Sequence, residues 1–261
     1  MKHSIIITRD ITYKDDLKLD LYSGENLKGA IIDIHGGGWF HGDKVKDEDL
    51  ATRLAQEGYL VIVPNYRLTP SGTFPAGRDD ILSALDWLKQ SAYVFDRNKI
   101  AAWGSSAGGN ISVEVALLRG IPAVSWSGII DLEGFILETD GKESEIKDDQ
   151  DFSKISSASI NQVGRNDAFL RWCIYSLIGN DRSLLKEATP FTRVSAASGP
   201  IYMASSMNEF VPPEGALKLQ SALLDTGVPS TVQLIPGTIH AKGYMPDAID
   251  ASLNFLTGFF K

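Results

Sequence analysis

The sequence contains a single cysteine, few histidines and no apolar run long enough to span a membrane. With Cys173 as the only cysteine, an intrachain disulfide is excluded. The N-terminus has neither the apolar length nor the small-residue cleavage site of a signal peptide. A formal net charge of −8 disfavours nucleic acid and anionic membranes as partners. We therefore expect a cytoplasmic protein without a membrane span, and we leave homo-oligomerisation open.

Short apolar or alternating segments recur along the 261 residues and predict one α/β domain. The predicted strands lie at residues 4–11, 18–22, 30–34, 60–64, 100–103, 123–127, 201–205 and 230–234. Helical patterns lie at residues 47–56, 79–89, 110–118, 214–224 and 247–260. This alternation predicts a mostly parallel eight-stranded sheet with helices on both faces, after an antiparallel pair at one edge. Ligands bind such sheets beyond the carboxyl ends of the strands.

A polar, mainly acidic run at residues 138–151 interrupts the alternation, and residues 169–178 follow with an apolar helical pattern. We expect a small cap insertion at about residues 135–180 within a single domain of residues 1–261. Asp148, Asp149 and Asp151 could suggest a metal site. They lack the glycine turn and the ligand spacing of a calcium loop, so we predict no metal.

Ser106 lies between Gly104 and Gly108 in a G-x-S-x-G pattern, after a predicted strand and before a predicted helix. Small residues are needed at a sharp strand-to-helix turn that exposes a serine hydroxyl. The pattern therefore predicts Ser106 as a nucleophile.

A glycine run, His35 to Gly38, follows the strand predicted at residues 30–34. Acyl transfer passes through an oxyanion that backbone N–H groups stabilise. Glycines allow the backbone to approach a substrate closely, so we predict an oxyanion hole formed by the N–H groups of Gly37, Gly38 and Ala107. The alternative is an ordinary glycine-rich turn, with His35 ordering its own loop.

His240 is the one histidine that follows Ser106 in the sequence. It lies in a predicted loop between the last strand and the last helix, which suits a general base. The order of serine, acid and histidine is that of the α/β-hydrolases.

These motifs resemble those of the α/β-hydrolase esterases and lipases, in particular the hormone-sensitive-lipase-like carboxylesterases. The segments 65–70, 74–76 and 79–80 also match that group, and the likeness runs from about residue 29 to the C-terminus. The resemblance implies an α/β-hydrolase fold and a serine carboxylic-ester hydrolase that needs no cofactor. It also implies a small-molecule ester with a short acyl group as substrate.

The acidic member of the triad departs from the family pattern. Asn208 occupies the position of the usual aspartate, and an amide does not stabilise an imidazolium as a carboxylate does. Glu209 is our first candidate because it lies in the same loop and has a longer side chain. Asp131, after the preceding strand, is the second candidate.

Two alternatives to the esterase remain open at this point. A formamidase or a carbohydrate deacetylase would use the same motifs, so the sequence does not choose among them. The second alternative is a non-catalytic binding protein on the same fold. An asparagine at position 208, where the triad aspartate is usual, supports this alternative, whereas Ser106, His240 and the glycine run argue against it.

Overall fold

The computed structural model describes residues 4–141 and 164–260. Within these residues, eight strands form one sheet in the order β1-β2-β4-β3-β5-β6-β7-β8. The strands are β1 (Ile6–Lys14), β2 (Leu17–Ser23), β3 (Gly29–Ile34), β4 (Tyr59–Pro64), β5 (Ile100–Ser105), β6 (Ala123–Trp126), β7 (Ile201–Ser206) and β8 (Ser230–Ile235). Strand β2 pairs antiparallel with β1 and β4, and the remaining pairs are parallel. The sheet is therefore mostly parallel, with the predicted antiparallel pair at one edge.

Eight α-helices lie within the same described residues. They are α1 (Glu48–Gln56), α2 (Ala76–Gln90), α3 (Ala107–Arg119), α4 (Leu132–Thr139), α5 (Asp167–Leu177), α6 (Leu185–Ala188), α7 (Glu214–Asp225) and α8 (Met245–Phe259). None of them has both the length and the apolar character that crossing a bilayer requires.

Two apolar cores lie on opposite faces of the sheet because successive side chains of a strand point to opposite faces. In β3, Ile31 belongs to the core covered by α1 and α8. Its neighbour Ile32 belongs to the larger core, to which α2, α3, α4, α5 and α7 contribute. Both faces are thus covered by helices, which explains why β3, β4 and β5 are buried along their whole length.

The chain between β6 and β7 differs in part from the sequence-based expectation. The apolar pattern predicted at residues 169–178 forms α5, but residues 135–139, at the start of the expected insertion, continue α4, a helix that the sequence analysis did not predict. Helix α4 begins where the Asp131 side chain accepts a hydrogen bond from the Gly134 N–H at 3.0 Å. Most of the acidic run, including Asp148, Asp149 and Asp151, lies outside the described residues.

Candidate active site

Ser106 lies in a sharp turn between β5 and α3, with backbone angles φ 58° and ψ −120°. A residue other than glycine rarely adopts this left-handed conformation, and such strain is concentrated at functional sites. The turn also requires its flanking glycines. A Cβ on Gly104 would lie 2.1 Å from the Gly108 carbonyl oxygen, and one on Gly108 would lie 1.9 Å from the Ile34 carbonyl oxygen. The backbone around Ser106 is therefore fixed by close packing of the ends of β3 and β5 against the start of α3.

The glycine loop after β3 lies directly against this turn. Gly37 and Gly38 have φ angles of +129° and +60°, which favour glycine. A Cβ placed on Gly36 would lie 3.2 Å from the Ser106 Cβ. Ala107 is the first residue of α3, where backbone N–H groups have no partner within the helix. The N–H groups of Gly37, Gly38 and Ala107 thus belong to two segments that meet at Ser106.

His35 is held inside the glycine loop rather than offered to a substrate. Its ring stacks on Tyr66 with centroids 4.4 Å apart, and its Nδ1 lies 3.0 Å from the Gly36 carbonyl oxygen. The Tyr66 hydroxyl donates a hydrogen bond to the His35 carbonyl at 2.8 Å. Burial lowers the pKa of His35, so its imidazole is neutral at pH 7.

Glu209 contacts His240 through its Oε2 and the imidazole Nδ1. Its Oε1 accepts hydrogen bonds from the Ser206 N–H at 2.8 Å and from the Ser127 hydroxyl at 2.9 Å. Both side chains are buried, with 1% of Glu209 and 6% of His240 exposed. The ring of Phe210 packs against the imidazole, with centroids 4.3 Å apart. The imidazole therefore has a carboxylate at Nδ1 and an aromatic ring at its face.

The other two candidates for the acid lie elsewhere. Asn208 is exposed, and its backbone N–H donates to the Gly237 carbonyl at 3.0 Å. Asp131 caps α4 and forms an ion pair of 2.6 Å with Lys218. Of the three residues weighed from the sequence, Glu209 is the one that the structure places against His240.

Ser127 was not singled out by the sequence analysis, yet it contacts several parts of the site. It follows β6 with a φ of 50° and is fully buried. Its hydroxyl donates to Glu209 and accepts the Ala241 N–H at 2.9 Å. The preceding carbonyl, that of Trp126, accepts the Ser106 N–H at 2.7 Å. The one sequence signal for Ser127 is its place after a buried strand, which is too general to have identified it.

Lys242, two residues after His240, connects the His240 loop to residues 46–49, at the start of α1. Its ammonium donates to the Lys46 carbonyl at 2.8 Å, forms an ion pair of 3.0 Å with Asp47 and contacts Asp49. Burial lowers the pKa of Lys242, but the nearby Asp47 and Asp49 outweigh burial and leave the pKa raised. The ammonium is therefore charged at pH 7.

Four aromatic side chains form a contiguous cluster beside the site, which we call the aromatic wall: Phe40, Phe169, Trp172 and Phe210. Phe40 comes from the segment after the glycine loop, Phe169 and Trp172 come from α5, and Phe210 packs against His240. Phe40 meets Trp172 edge to face, with centroids 4.6 Å apart. The aromatic wall thus joins α5 to both loops of the site.

A family model described as BD-FAE matches residues 19–223 of this chain. The matched range contains both Ser106 and Glu209. The chain belongs to the BD-FAE family. Among curated relatives, this BD-FAE protein is 34% identical over 122 residues to arylacetamide deacetylase of Bos taurus. It is 33% identical over 120 residues to an arylesterase of Saccharolobus solfataricus. Each match covers 42% of this chain, and the two cover 30% and 39% of the relatives' lengths.

Solved structures share the fold of this BD-FAE protein over nearly all of its length. Esterase B of Lactobacillus Rhamnosis has a TM-score of 0.74 at 20% identity, covering 98% of this chain and 85% of the esterase. A truncated carbohydrate esterase from gut microbiota has a TM-score of 0.77 at 20% identity, covering 99% and 97%. The chain therefore has the α/β-hydrolase fold, as the resemblance of its motifs implied.

In this BD-FAE protein, α5 also places Cys173 beneath the glycine loop. A Cβ on Gly38 would lie 2.9 Å from the Cys173 Sγ, so the thiol fits because residue 38 has no side chain. Cys173 is 1% exposed, and burial raises the pKa of its thiol. The thiol is thus a packing group at neutral pH.

Proposed function

We propose that this protein is a serine carboxylic-ester hydrolase with Ser106 as nucleophile, His240 as general base and Glu209 as the acid that orients His240. The observation that carries the proposal is the buried contact of Glu209 Oε2 with His240 Nδ1, which residues 126–127 connect to the strained serine turn. The names of the curated relatives, among them an arylesterase and a carboxylesterase of Mycobacterium tuberculosis, favour the same chemistry.

The proposed reaction has two halves. The Ser106 oxygen attacks the acyl carbon while His240 Nε2 takes the hydroxyl proton, and Glu209 stabilises the imidazolium through Nδ1. The N–H groups of Gly37, Gly38 and Ala107 would stabilise the negative carbonyl oxygen. The C–O bond to the alcohol then breaks, and His240 returns the proton to the leaving alcohol. Water repeats these steps on the acyl-enzyme and releases the acid, without a cofactor.

We propose short acyl groups, acetyl to butyryl, as the preferred substrates. The aromatic wall is built from large, rigid rings, and α5, which carries two of them, belongs to the cap that we propose at about residues 135–180. Burying such rings against both catalytic loops leaves less room for a long chain than an open groove would. Acetyl esters of small alcohols and acetylated sugars share this acyl size, and the formyl group of a formamide is smaller still, so the leaving group stays the open part of the proposal.

A panel of p-nitrophenyl esters with chains of two to sixteen carbons tests the reaction and the acyl preference. We expect kcat/KM to be highest for the acetyl to butyryl esters and to disappear in Ser106→Ala. An active wild type with its maximum at the long chains would contradict the acyl preference alone. A wild type without turnover, and without labelling by a fluorophosphonate, would instead favour a non-catalytic binding protein.

The single cysteine is compatible with a reducing compartment, and we propose a cytoplasmic location. Fractionation of cells that produce the protein from its own gene tests this, since activity in the cytoplasmic fraction is the expected result.

A further inference from the structure

The hydroxyl of Ser127 contacts the segments that carry the proposed acid and the proposed base. It donates to Glu209 Oε1 at 2.9 Å and accepts the N–H of Ala241, the residue after His240, at 2.9 Å. It also lies 2.7 Å from the Tyr244 hydroxyl, in the turn that follows His240. Its partners come from the loop after β7 and the loop after β8, so this hydroxyl joins two loops that are separate in sequence.

The geometry of the Glu209 carboxylate depends on these donors. Its Oε1 is occupied by the Ser127 hydroxyl and the Ser206 N–H, which turns Oε2 toward His240 Nδ1. Hydrogen bonds to an ionised acceptor are among the stronger ones in proteins. Two donors on one oxygen therefore fix the rotation of the carboxylate.

The backbone at the same point reaches the nucleophile. The Trp126 carbonyl accepts the Ser106 N–H at 2.7 Å, and the Ser127 N–H donates to the Ala204 carbonyl at 2.7 Å. The chain at residues 126–127 therefore contacts Ser106, Glu209 and the residue after His240. These contacts lie in a fully buried place, since Ser127 has no exposed surface.

We propose that Ser127 is a positioning residue that aligns the Glu209 carboxylate and the His240 loop with Ser106. The proposal rests on the function proposed above and adds a residue that does not itself touch the reacting atoms. Small losses of alignment have large effects on rate, so removing the hydroxyl should lower kcat by about 10- to 100-fold with little effect on KM.

Two variants separate alignment from folding. Ser127→Ala removes the hydroxyl and keeps the backbone strain at φ 50°. Ser127→Gly removes the hydroxyl and relieves that strain, because glycine has no Cβ that clashes at positive φ. The glycine variant therefore remains testable if the alanine variant fails to fold.

Ser252→Ala is the matched control. Ser252 is also fully buried, and its hydroxyl accepts a hydrogen bond from the Trp126 indole at 3.0 Å and donates to the Ala248 carbonyl. This variant removes a buried hydroxyl next to the same segment without touching Glu209 or His240. We expect its kcat to stay within about twofold of wild type.

The experiment measures kcat, KM, the rate of fluorophosphonate labelling of Ser106 and the melting temperature of each variant. Support requires that Ser127→Gly lose kcat and labelling rate by similar factors, at an unchanged KM and a melting temperature no lower than that of Ser252→Ala. A Ser127→Gly kcat within about threefold of wild type, or an equal loss in Ser252→Ala, would overturn the inference. If the wild type neither turns over esters nor labels, the proposed function fails as well, which distinguishes the two failures.

Discussion

Exchanging Glu209 for glutamine changes one oxygen of the group behind His240 to an NH₂, at almost constant shape. Oε1 accepts hydrogen bonds from Ser206 N–H at 2.8 Å and from the Ser127 hydroxyl at 2.9 Å. In Glu209→Gln the amide oxygen must stay at that position, since an NH₂ there would face two donors. Each such buried mismatch costs about 1–3 kcal/mol. The NH₂ of the new side chain therefore points at His240.

An NH₂ at Nδ1 selects the wrong tautomer of His240. The imidazole would accept a hydrogen bond at Nδ1 and carry its proton on Nε2. A protonated Nε2 has no lone pair to accept the proton of the Ser106 hydroxyl. In serine proteases the corresponding exchange of carboxylate for amide lowers kcat by about 10⁴, equal to about 5 kcal/mol of transition-state stabilisation. The contacts of Glu209 have the same arrangement, so we expect a loss of that order.

The assay is the pre-steady-state burst and steady-state hydrolysis of p-nitrophenyl acetate at pH 7. Asn208→Ala is the control, because Asn208 is exposed beside Glu209, and we expect its kcat to stay within about twofold of wild type. Adding Asn208→Asp to Glu209→Gln should not restore activity. A Glu209→Gln enzyme with more than about a tenth of wild-type kcat, or recovery through Asn208→Asp, would refute this reasoning.

The nucleophile, the aromatic wall and the buried carboxylate of Asp80 can each be tested by one substitution. Ser106→Ala should lower kcat by about 10⁶, whereas Ser105→Ala should lower it less than about tenfold, and fluorophosphonate labelling that survives in Ser106→Ala would contradict the assignment. Trp172→Ala opens the aromatic wall, so the kcat/KM ratio of octanoyl to butyryl esters should rise about tenfold, and an unchanged ratio would count against a role of the wall in acyl size. Burial raises the pKa of Asp80, but hydrogen bonds from Arg67 and Lys14 outweigh burial and leave the pKa below its usual value. The stability that Asp80 contributes is therefore present above the pKa of the unfolded state and is lost as the pH falls through the pKa of the folded state. Urea unfolding should show a difference in the free energy of unfolding between wild type and Asp80→Asn at pH 7, and this difference should shrink in acid.

The strands could be predicted because each is a short apolar or alternating segment between breaks. The first strand is the exception, since it was predicted at residues 4–11 and forms at Ile6–Lys14. Irregular pairing with β2 between Thr8 and Ile11, and again between Thr12 and Lys14, breaks the alternation of side chains. A positive φ at Asp10 lies in the first of these irregularities. The period-two alternation of apolar and polar residues does not predict where such bulges occur, so the bounds of β1 were shifted.

Helix α4 was missed because its sequence has little contrast between its faces. Leu132, Phe135 and Ile136 are buried, while Leu137 is 60% exposed. An exposed leucine next to buried residues removes the polar side that a helical pattern needs. The cap residue Asp131 was a usable signal, but we had weighed it as a candidate triad acid.

Within the site, the residues in short sequence motifs could be predicted, whereas contacts between residues far apart in the sequence were harder to predict. Ser106 and the glycine loop follow from contiguous motifs, whose chemistry is fixed by neighbours in sequence. The contact of Glu209 with His240 joins residues 31 positions apart, and the reach of a side chain suggested it without a motif. Ser127 lies 82 positions from Glu209 and 114 from Ala241. Contacts of that separation follow from the order of strands in the sheet, which no local pattern specifies.

The burial of Cys173 makes this thiol a reporter of how tightly α5 packs against the glycine loop. Its Sγ packs against Gly38, so we expect a reagent such as a maleimide to reach it when α5 moves away from the glycine loop. With one cysteine in the chain, all labelling by a thiol reagent occurs at this residue. The labelling rate in native buffer, compared with the rate in urea, then gives the free energy of the opening that exposes Cys173. A substrate-sized inhibitor that slows labelling would show that occupancy and the position of α5 are coupled.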